Sequence, residues 1–372
     1  MRDANKQKGI TLIALVITII ILLILAGISI VALTNTGLFE SAQQAKQETE
    51  NAQTEENETL NEYEQWLENY TGSSSESETT ETLASKVQPG DYVSYTPDEA
   101  GTTEILSELS AYSGNTDSTK NTESTLTQEN LNWRVLDVVD GKVRLISEVP
   151  TTSTVALEGY KGYNNAVYLL DRTCRTLYNN STYTDNVQNL KIEDIEKYME
   201  TTDYSTINSS YGTTFSPTHK YYPSIFAQEA EQTVNEITGT LGLSEQTAPI
   251  NQTTANTATS MTVKYTYWNK SMEKRDFTNQ IYYNLFINNG SNYSTYWMSS
   301  RCVAAISDSA YFSVCRVYSG RVSAYNLYYS NDTPSYNAFA LRPVITLKSN
   351  ILVKSGSGTP DLPYEIGVIE KN

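Results

Sequence analysis

Tyr296-Trp297-Met298-Ser299-Ser300-Arg301-Cys302-Val303 and Ala340-Leu341-Arg342-Pro343-Val344-Ile345-Thr346-Leu347 frame a segment of quite different character. Between them, residues 304–339 are dominated by Ala, Ser, Tyr and Asn. Phe312, Val314, Val317, Val322 and Leu327 form the expected inward set. Ser319-Gly320 supplies a hairpin turn, and the odd step from Val314 to Val317 predicts a bulge. The remaining side chains are expected to face out, namely Tyr311, Tyr318, Tyr325, Tyr328, Tyr329 and Tyr336 among Ser, Asn and Asp. Rigid amphipathic tyrosines with small polar neighbours are the chemistry of a paratope.

The framed segment is also unusual for what it lacks. Lys, Glu, Gln, Met and Trp together make up 68 of the 372 residues, yet none of them occurs from Ala304 to Phe339. By proportion roughly six or seven would be expected, and exposed β-structure has no physical reason to exclude Lys, Glu and Gln together. A genetic cause accounts for the pattern. Randomising the adenines of AAC or AAT codons yields Asn, Asp, Tyr, Ser, Ala, Ile, Arg, Cys, Phe, Thr and others, and never those five.

Moving outward, Trp133 to Val139 and Lys142 to Ile146 flank Asp140-Gly141, a β-hairpin signal with a type I′ turn. Gly90-Asp91-Tyr92-Val93-Ser94-Tyr95 reads as a first strand. Val167, Leu170, Cys174 and Leu177 share one helical face, as do Ile192, Ile195 and Met199, and Phe277, Ile281 and Leu285. Residues 98–130 and 238–260 are polar and read as long loops.

At the N-terminus, Lys6-Gln7-Lys8-Gly9-Ile10-Thr11-Leu12-Ile13-Ala14-Leu15 opens an uncharged run of 24 residues that ends at Leu33. At about 1.5 Å per residue the run reaches roughly 36 Å as a helix, a membrane-spanning length. From Glu40 to Glu68 there are nine Glu and one Lys, with Leu60, Tyr63, Leu67 and Tyr70 on one helical face. A Ser/Glu/Thr-rich stretch follows Thr71-Gly72 and reads as a linker. The expected organisation is therefore residues 1–9 as leader, 10–70 as transmembrane and extended helix, 71–86 as flexible linker, 87–350 as head and 351–372 as tail.

Composition narrows the function classes. A net charge of −17 and a pI near 4.6 argue against nucleic acid as a partner, since it selects basic faces. The single histidine, His219, sits in Ser216-Pro217-Thr218-His219-Lys220 and reads as a surface loop, which disfavours His-based triads and multi-His metal sites. No catalytic residue, metal or cofactor is expected. The three cysteines suggest one disulfide and one spare thiol in an exported protein, with Cys174 and Cys302 as the candidate pair.

Two resemblances add to this reading. The Lys8-Gly9-Ile10 junction before the apolar run resembles the class III signal of type IV prepilins, which implies cleavage by a prepilin peptidase between Gly9 and Ile10 and assembly with other pilin subunits. Most such pilins carry Glu at the fifth mature position; here it is Ala14, which fits a minor or tip subunit better than a major one. From Trp133 to Leu347 the chain resembles the C-type-lectin-fold proteins diversified by retroelements, related in fold to formylglycine-generating enzymes. The carrying motifs are Gly162-Tyr163-Asn164-Asn165-Ala166-Val167-Tyr168-Leu169-Leu170-Asp171, Tyr296 to Cys302, and Ala340 to Val344. The implied fold is α+β, with a long N-terminal transmembrane pilin helix followed by a C-type-lectin-like mixed α/β head.

On that resemblance the candidate ligand contacts are Ala304, Ala305, Ile306, Asp308, Ser309, Tyr311, Ser313, Cys315, Arg316, Tyr318, Arg321, Ala324, Tyr325, Asn326, Tyr328, Tyr329, Asn331 and Asp332. The implied function is a pilus-associated adhesin at the cell surface, anchored in the membrane before assembly, that binds an extracellular protein or glycan without performing chemistry. The alternatives are a pseudopilin or minor pilin of a secretion machine, whose 304–339 face is incidental, and an oxidase that would use Cys302 and Cys315, the only close cysteine pair.

Overall fold

Asp140 and Gly141 both adopt positive φ (51° and 72°), the backbone of a type I′ turn, and the hairpin they close is the centre of the first sheet. The computed structural model describes residues 81–200, 211–213, 220–221, 230–235, 244–251, 256–263, 270–288, 295–306, 309–329 and 333–368. In chain order the elements are α1 (Leu83–Lys86), β1 (Tyr92–Ser94), α2 (Thr103–Tyr112), β2 (Trp133–Val139), β3 (Lys142–Ser147), β4 (Thr154–Glu158), α3 (Gly159–Tyr178), β5 (Thr184–Asn189) and α4 (Ile192–Glu196). There follow β6 (Tyr211–Thr213), β7 (Lys220–Tyr221), β8 (Ala230–Asn235), β9 (Asn256–Val263), β10 (Lys270–Ser271), a 3₁₀ turn (Lys274–Asp276) and α5 (Gln280–Phe286). The remainder is β11 (Tyr296–Ile306), β12 (Ser309–Tyr318), β13 (Arg321–Tyr329), β14 (Thr333–Pro334), β15 (Tyr336–Ala340), β16 (Pro343–Leu347), β17 (Ile351–Ser355) and β18 (Tyr364–Val368).

These strands form a seven-stranded sheet in the order β17-β18-β1-β2-β3-β16-β5 and a second in the order β10-β13-β12-β11-β15-β4, with β14 on β13. A smaller third sheet holds β6, β7 and β8 around β9. Helix α3 packs against both large sheets. Its stripe of Tyr163, Ala166, Leu169, Leu170, Cys174 and Leu177 is fully buried, with Val135, Leu145, Trp297, Phe312, Val314 and Ile345 in the same core. A second core forms around α4 and α5, from Ile192, Ile195, Phe277, Leu285 and Phe286 with Leu136, Ile146, Met298, Val317, Val322 and Val344. Neighbouring residues on one strand thus enter different cores: Val135 and Leu136, Leu145 and Ile146, Trp297 and Met298. Sheets covered on both faces read as continuous apolar runs rather than as alternation.

Several expectations need correction. The expected architecture, a long N-terminal transmembrane helix leading into a C-type-lectin-like head, gives way to a mixed α/β fold built on sheets with few helices. Among the described residues no helix is long and apolar enough to cross a membrane. The 20-residue α3 carries Lys161, Asp171, Arg172 and Arg175, which a bilayer core would exclude. The readings of residues 1–70, including Gly9, Ile10 and the apolar run, lie outside the described residues, as does His219.

At the other end, residues 351–368, expected within a tail, carry two strands of the first sheet. β18 pairs in parallel with β1 (Val93 opposite Tyr364) and β17 closes the sheet beside it, with Ile351, Leu352 and Ile366 buried. Leu83, assigned to the linker, is fully buried in the first core. Within 98–130, Ile105 and Leu109 on α2 and Leu126 are buried as well, so that polar stretch is part of the packed structure. Residues 256–260, expected within a loop, belong to strand β9. Cys174 and Cys302 are free buried thiols that belong to different cores, so the expected disulfide is absent.

A bulge at Leu136 sets Asp137 directly opposite Arg144, and both are largely buried. Arg144 donates from Nε and Nη2 to the two Asp137 oxygens (2.6 Å each) and from Nη1 to Asp194 (2.5 Å). Lys197 Nζ (2.8 Å) and the Tyr198 hydroxyl complete the ring of donors. Burial pushes the Asp137 carboxyl up, but Arg144, Lys197 and Tyr198 together outweigh it and hold the carboxyl below its usual value. A carboxylate depressed in the folded state contributes stability above its unfolded pKa of about 3.9, and loses it as pH falls through the lower folded value. Asp137→Asn is therefore expected to cost about 2 kcal/mol at pH 7. In urea titrations the gap from wild type should narrow progressively below pH 4, and a gap independent of pH would show that the ion pair is not its source.

Candidate functional site

The frames that bound 304–339 are fixed by buried polar groups. Asn189, at the end of β5, donates from Nδ2 to the Trp297 carbonyl (2.9 Å) and accepts at Oδ1 from the Arg342 backbone N–H (2.7 Å). One side chain thus ties the first frame to the second. Trp297 Nε1 donates to the Val155 carbonyl on β4 (2.8 Å), and Arg301 Nη1 to the Asn164 carbonyl on α3 (2.7 Å). Between Trp297 and Arg301 the register slips, and the backbone turns to the segment after β5: Ser299 N–H donates to the Leu190 carbonyl (2.8 Å), and Ser300 Oγ accepts from Ile192 N–H (2.9 Å). Arg342 is fully buried, stacks 5.6 Å from the Tyr296 ring and donates from Nη2 to the carbonyls of Leu285 (2.6 Å) and Glu148 (3.0 Å). Burial, with the Arg134 charge adding to it, pushes its guanidinium down to about 10.

Inside the frames, β12 and β13 form the expected hairpin, with Ser319 and Gly320 both at positive φ (48° and 77°). The bulge lies not between Val314 and Val317 but at Leu327, where the β13 register slips against Phe312 and Ser313. Val314 and Val317 are both buried because they point to opposite faces, one into each core.

Register then sorts the candidate contacts, because directly opposed residues of an antiparallel pair share a face. Arg316, Tyr318, Arg321, Tyr325 and Tyr328 lie on the α3 side; Tyr311, Ser313, Cys315, Ala324, Asn326 and Tyr329 lie on the other. The structure does not gather them onto one surface. Three are interior and cannot meet a ligand as expected: Tyr328 packs edge-on to Tyr160 (5.7 Å), Cys315 is fully buried in the second core, and Ser313 is buried with its Oγ bonded to Asn326 Oδ1 (2.6 Å). Cys302 and Cys315 share that second core. Ala304, Ala305, Ile306 and Ser309 are placed by backbone alone, opposite Tyr311, Ala310, Ser309 and Ile306 respectively. Asp308, Asn331 and Asp332 lie outside the described residues.

What the structure does assemble is a cluster on the α3-side face, beside the Ser319-Gly320 turn. The Arg316 guanidinium carbon lies 4.5 Å from the Tyr318 ring centre and 5.1 Å from those of Tyr325 and Phe339. Its Nε donates to Ser323 Oγ (3.2 Å) on the opposing strand. Tyr325 is held edge-on to Trp297 (6.2 Å) and Phe339 (5.8 Å), and its hydroxyl donates to the Tyr336 carbonyl (2.9 Å). Tyr318 is 43% exposed, the most open of the aromatic side chains described on these strands. Burial lowers the Arg316 pKa from its usual value, and no carboxylate among the described residues pairs with it. On the other face Tyr311 and Tyr329 meet edge to face at 5.3 Å, both half-buried.

Sequence reading missed Phe339, which it treated as the end of the segment, and Asn189, whose role comes from distant partners. Comparison of the chain with protein-family models, with curated proteins and with solved structures returns no match.

Proposed function

We propose that this chain is a non-catalytic binding protein of the cell surface, associated with type IV pili, whose residues 304–339 carry a hypervariable ligand-binding face. The observation that carries the reading is a division of labour along β11 to β16. Trp297, Ser299, Ser300, Arg301 and Arg342, all outside the segment, hydrogen-bond to α3, β4, the end of β5 and the residues just after it, whereas the segment's own ties to β4 and to Gly159 are backbone pairings that do not depend on side-chain identity. Inside it, the side chains of Tyr318, Arg316, Tyr325 and Arg321 are open or half-open. A rigid scaffold that holds exchangeable tyrosine-rich contacts meets the physical requirement of a recognition surface. The Lys8-Gly9-Ile10 junction supports export, with prepilin peptidase and other pilin subunits as partners. The ligand is an extracellular protein or glycan.

Deep sequencing of the gene across a population of cells tests the proposal. The expected result is substitutions concentrated at adenine-bearing codons of 304–339, with 296–303 and 340–347 unchanged. Substitution spread evenly across frames and segment would remove the hypervariable reading.

A further inference from the structure

We propose that the ligand presents a carboxylate, from an Asp or Glu side chain of a protein partner, to the guanidinium of Arg316; this rests on the binding reading above. Three observations converge on it. Tyr318, Tyr325 and Phe339 surround the guanidinium at 4.5–5.1 Å, so its orientation is set before any ligand arrives. Its one hydrogen bond among the described residues uses Nε, toward Ser323, and this leaves the two Nη groups, the prongs that match a carboxylate. No Asp or Glu among the described residues forms an ion pair with it, although the chain carries 43 acidic residues against 26 basic ones. A cation drawn partly out of water without a counter-charge is costly, and in so acidic a chain a neighbouring carboxylate would be the ordinary solution. With no such carboxylate among the described residues, the counter-charge is assigned to the ligand.

The surroundings choose the source. The cage opens onto a sheet face bearing Tyr318 and, directly opposite it, Arg321. Flat faces of this kind, with tyrosine and small polar residues, suit a protein surface, whereas a small sugar acid needs a concave site to bury most of itself. The chain's net charge of −17 repels an acidic partner at long range, so the contact has to come from close, two-pronged bonding rather than from diffuse attraction. Lysine at position 316 would then be a poor replacement.

The test pans random twelve-residue peptides, displayed on phage, against the full chain. The recovered peptides are expected to be enriched in Asp and Glu. For a synthetic peptide from this set, Arg316→Gln is expected to weaken binding at least tenfold and Arg316→Lys nearly as much. An Asp→Asn change in the peptide should cost the same factor on the wild type and almost nothing on Arg316→Gln. Arg316→Lys keeps the cation and most of the stem, so it carries the comparison if Arg316→Gln fails to fold. Peptides that need Tyr318 but ignore Arg316→Gln would overturn the arginine assignment and leave the binding reading standing. Peptides indifferent to Tyr318, Tyr325 and Arg316 alike would overturn both. Capture of sialylated glycans in an Arg316-dependent way, without acidic peptides, would overturn the protein source.

Discussion

Trp297→Ala is expected to destabilise the protein by about 3–5 kcal/mol, the range for removing a buried aromatic ring. Trp297 is completely buried, and its ring lies 4.5 Å from Phe339 and 6.2 Å from Tyr325. Truncation opens a cavity beneath Tyr325 and Phe339 and also leaves the Val155 carbonyl without its indole donor. Trp297→Phe separates the two terms. It restores most of the volume and none of the hydrogen bond, so its cost should fall to about 1–3 kcal/mol. Urea unfolding with an unchanged m-value would measure both. The double effect has a functional side, because Trp297 supports Tyr325 and Phe339, two of the three rings around Arg316. A loss below about 1 kcal/mol for Trp297→Ala would mean that the frame is not a core element.

Local signals of the fold were legible where one residue pair or one stripe decides the outcome. Asp140-Gly141 and Ser319-Gly320 each make the turn that their sequence predicts, and the Val167, Leu170, Cys174 and Leu177 stripe is the buried side of α3. The helix that carries Ile281 and Leu285 begins at Gln280, where Asn279 Oδ1 caps the Ile281 N–H (2.9 Å). Reading failed where burial depends on partners far along the chain. Ile105, Leu106, Leu109 and Tyr112 recur at helical spacing, but the Ser, Thr and Glu residues around them masked α2 as loop. Leu83 and β17–β18 were taken for linker and tail because the sheet they complete closes only through β1, more than two hundred residues from β18.

The site was legible in composition but not in geometry. Alternation suggested one inward and one outward face for β12 and β13, which holds for a sheet with one wet side. Here both faces are covered over part of their length, so Cys315 and Ser313 go inside on the face opposite Val314. The bulge at Leu327 turns Leu327 and Tyr328 into the same core. A bulge cannot be located from a single strand, because it is a mismatch between two. Asn189 escaped notice for a related reason: a lone Asn at a strand end says nothing until Trp297 and Arg342 arrive beside it.

That sorting yields a contrast between two tyrosines of one segment. Tyr318→Ala is expected to weaken binding of a panned peptide by about 30-fold or more, the scale of an interface hot spot near 2 kcal/mol, while stability shifts by no more than about 0.5 kcal/mol. Tyr328→Ala is expected to do the reverse. Tyr328 is 1% exposed and packs on Tyr160 and Phe312, so its loss should cost about 3–4 kcal/mol. Its effect on affinity, measured where the variant is still folded, should be small. Biolayer interferometry and thermal unfolding on the same preparations give both axes. The intermediate case is Tyr325→Phe, which removes only the hydroxyl bond to the Tyr336 carbonyl and keeps the ring beside Arg316. It should move both quantities by less than tenfold and less than about 1.5 kcal/mol. If Tyr318 instead governs stability and leaves capture intact, the face beside the Ser319-Gly320 turn is packing rather than recognition. The tyrosines of 304–339 would then share one structural role, and the excluded residue types would need a different cause.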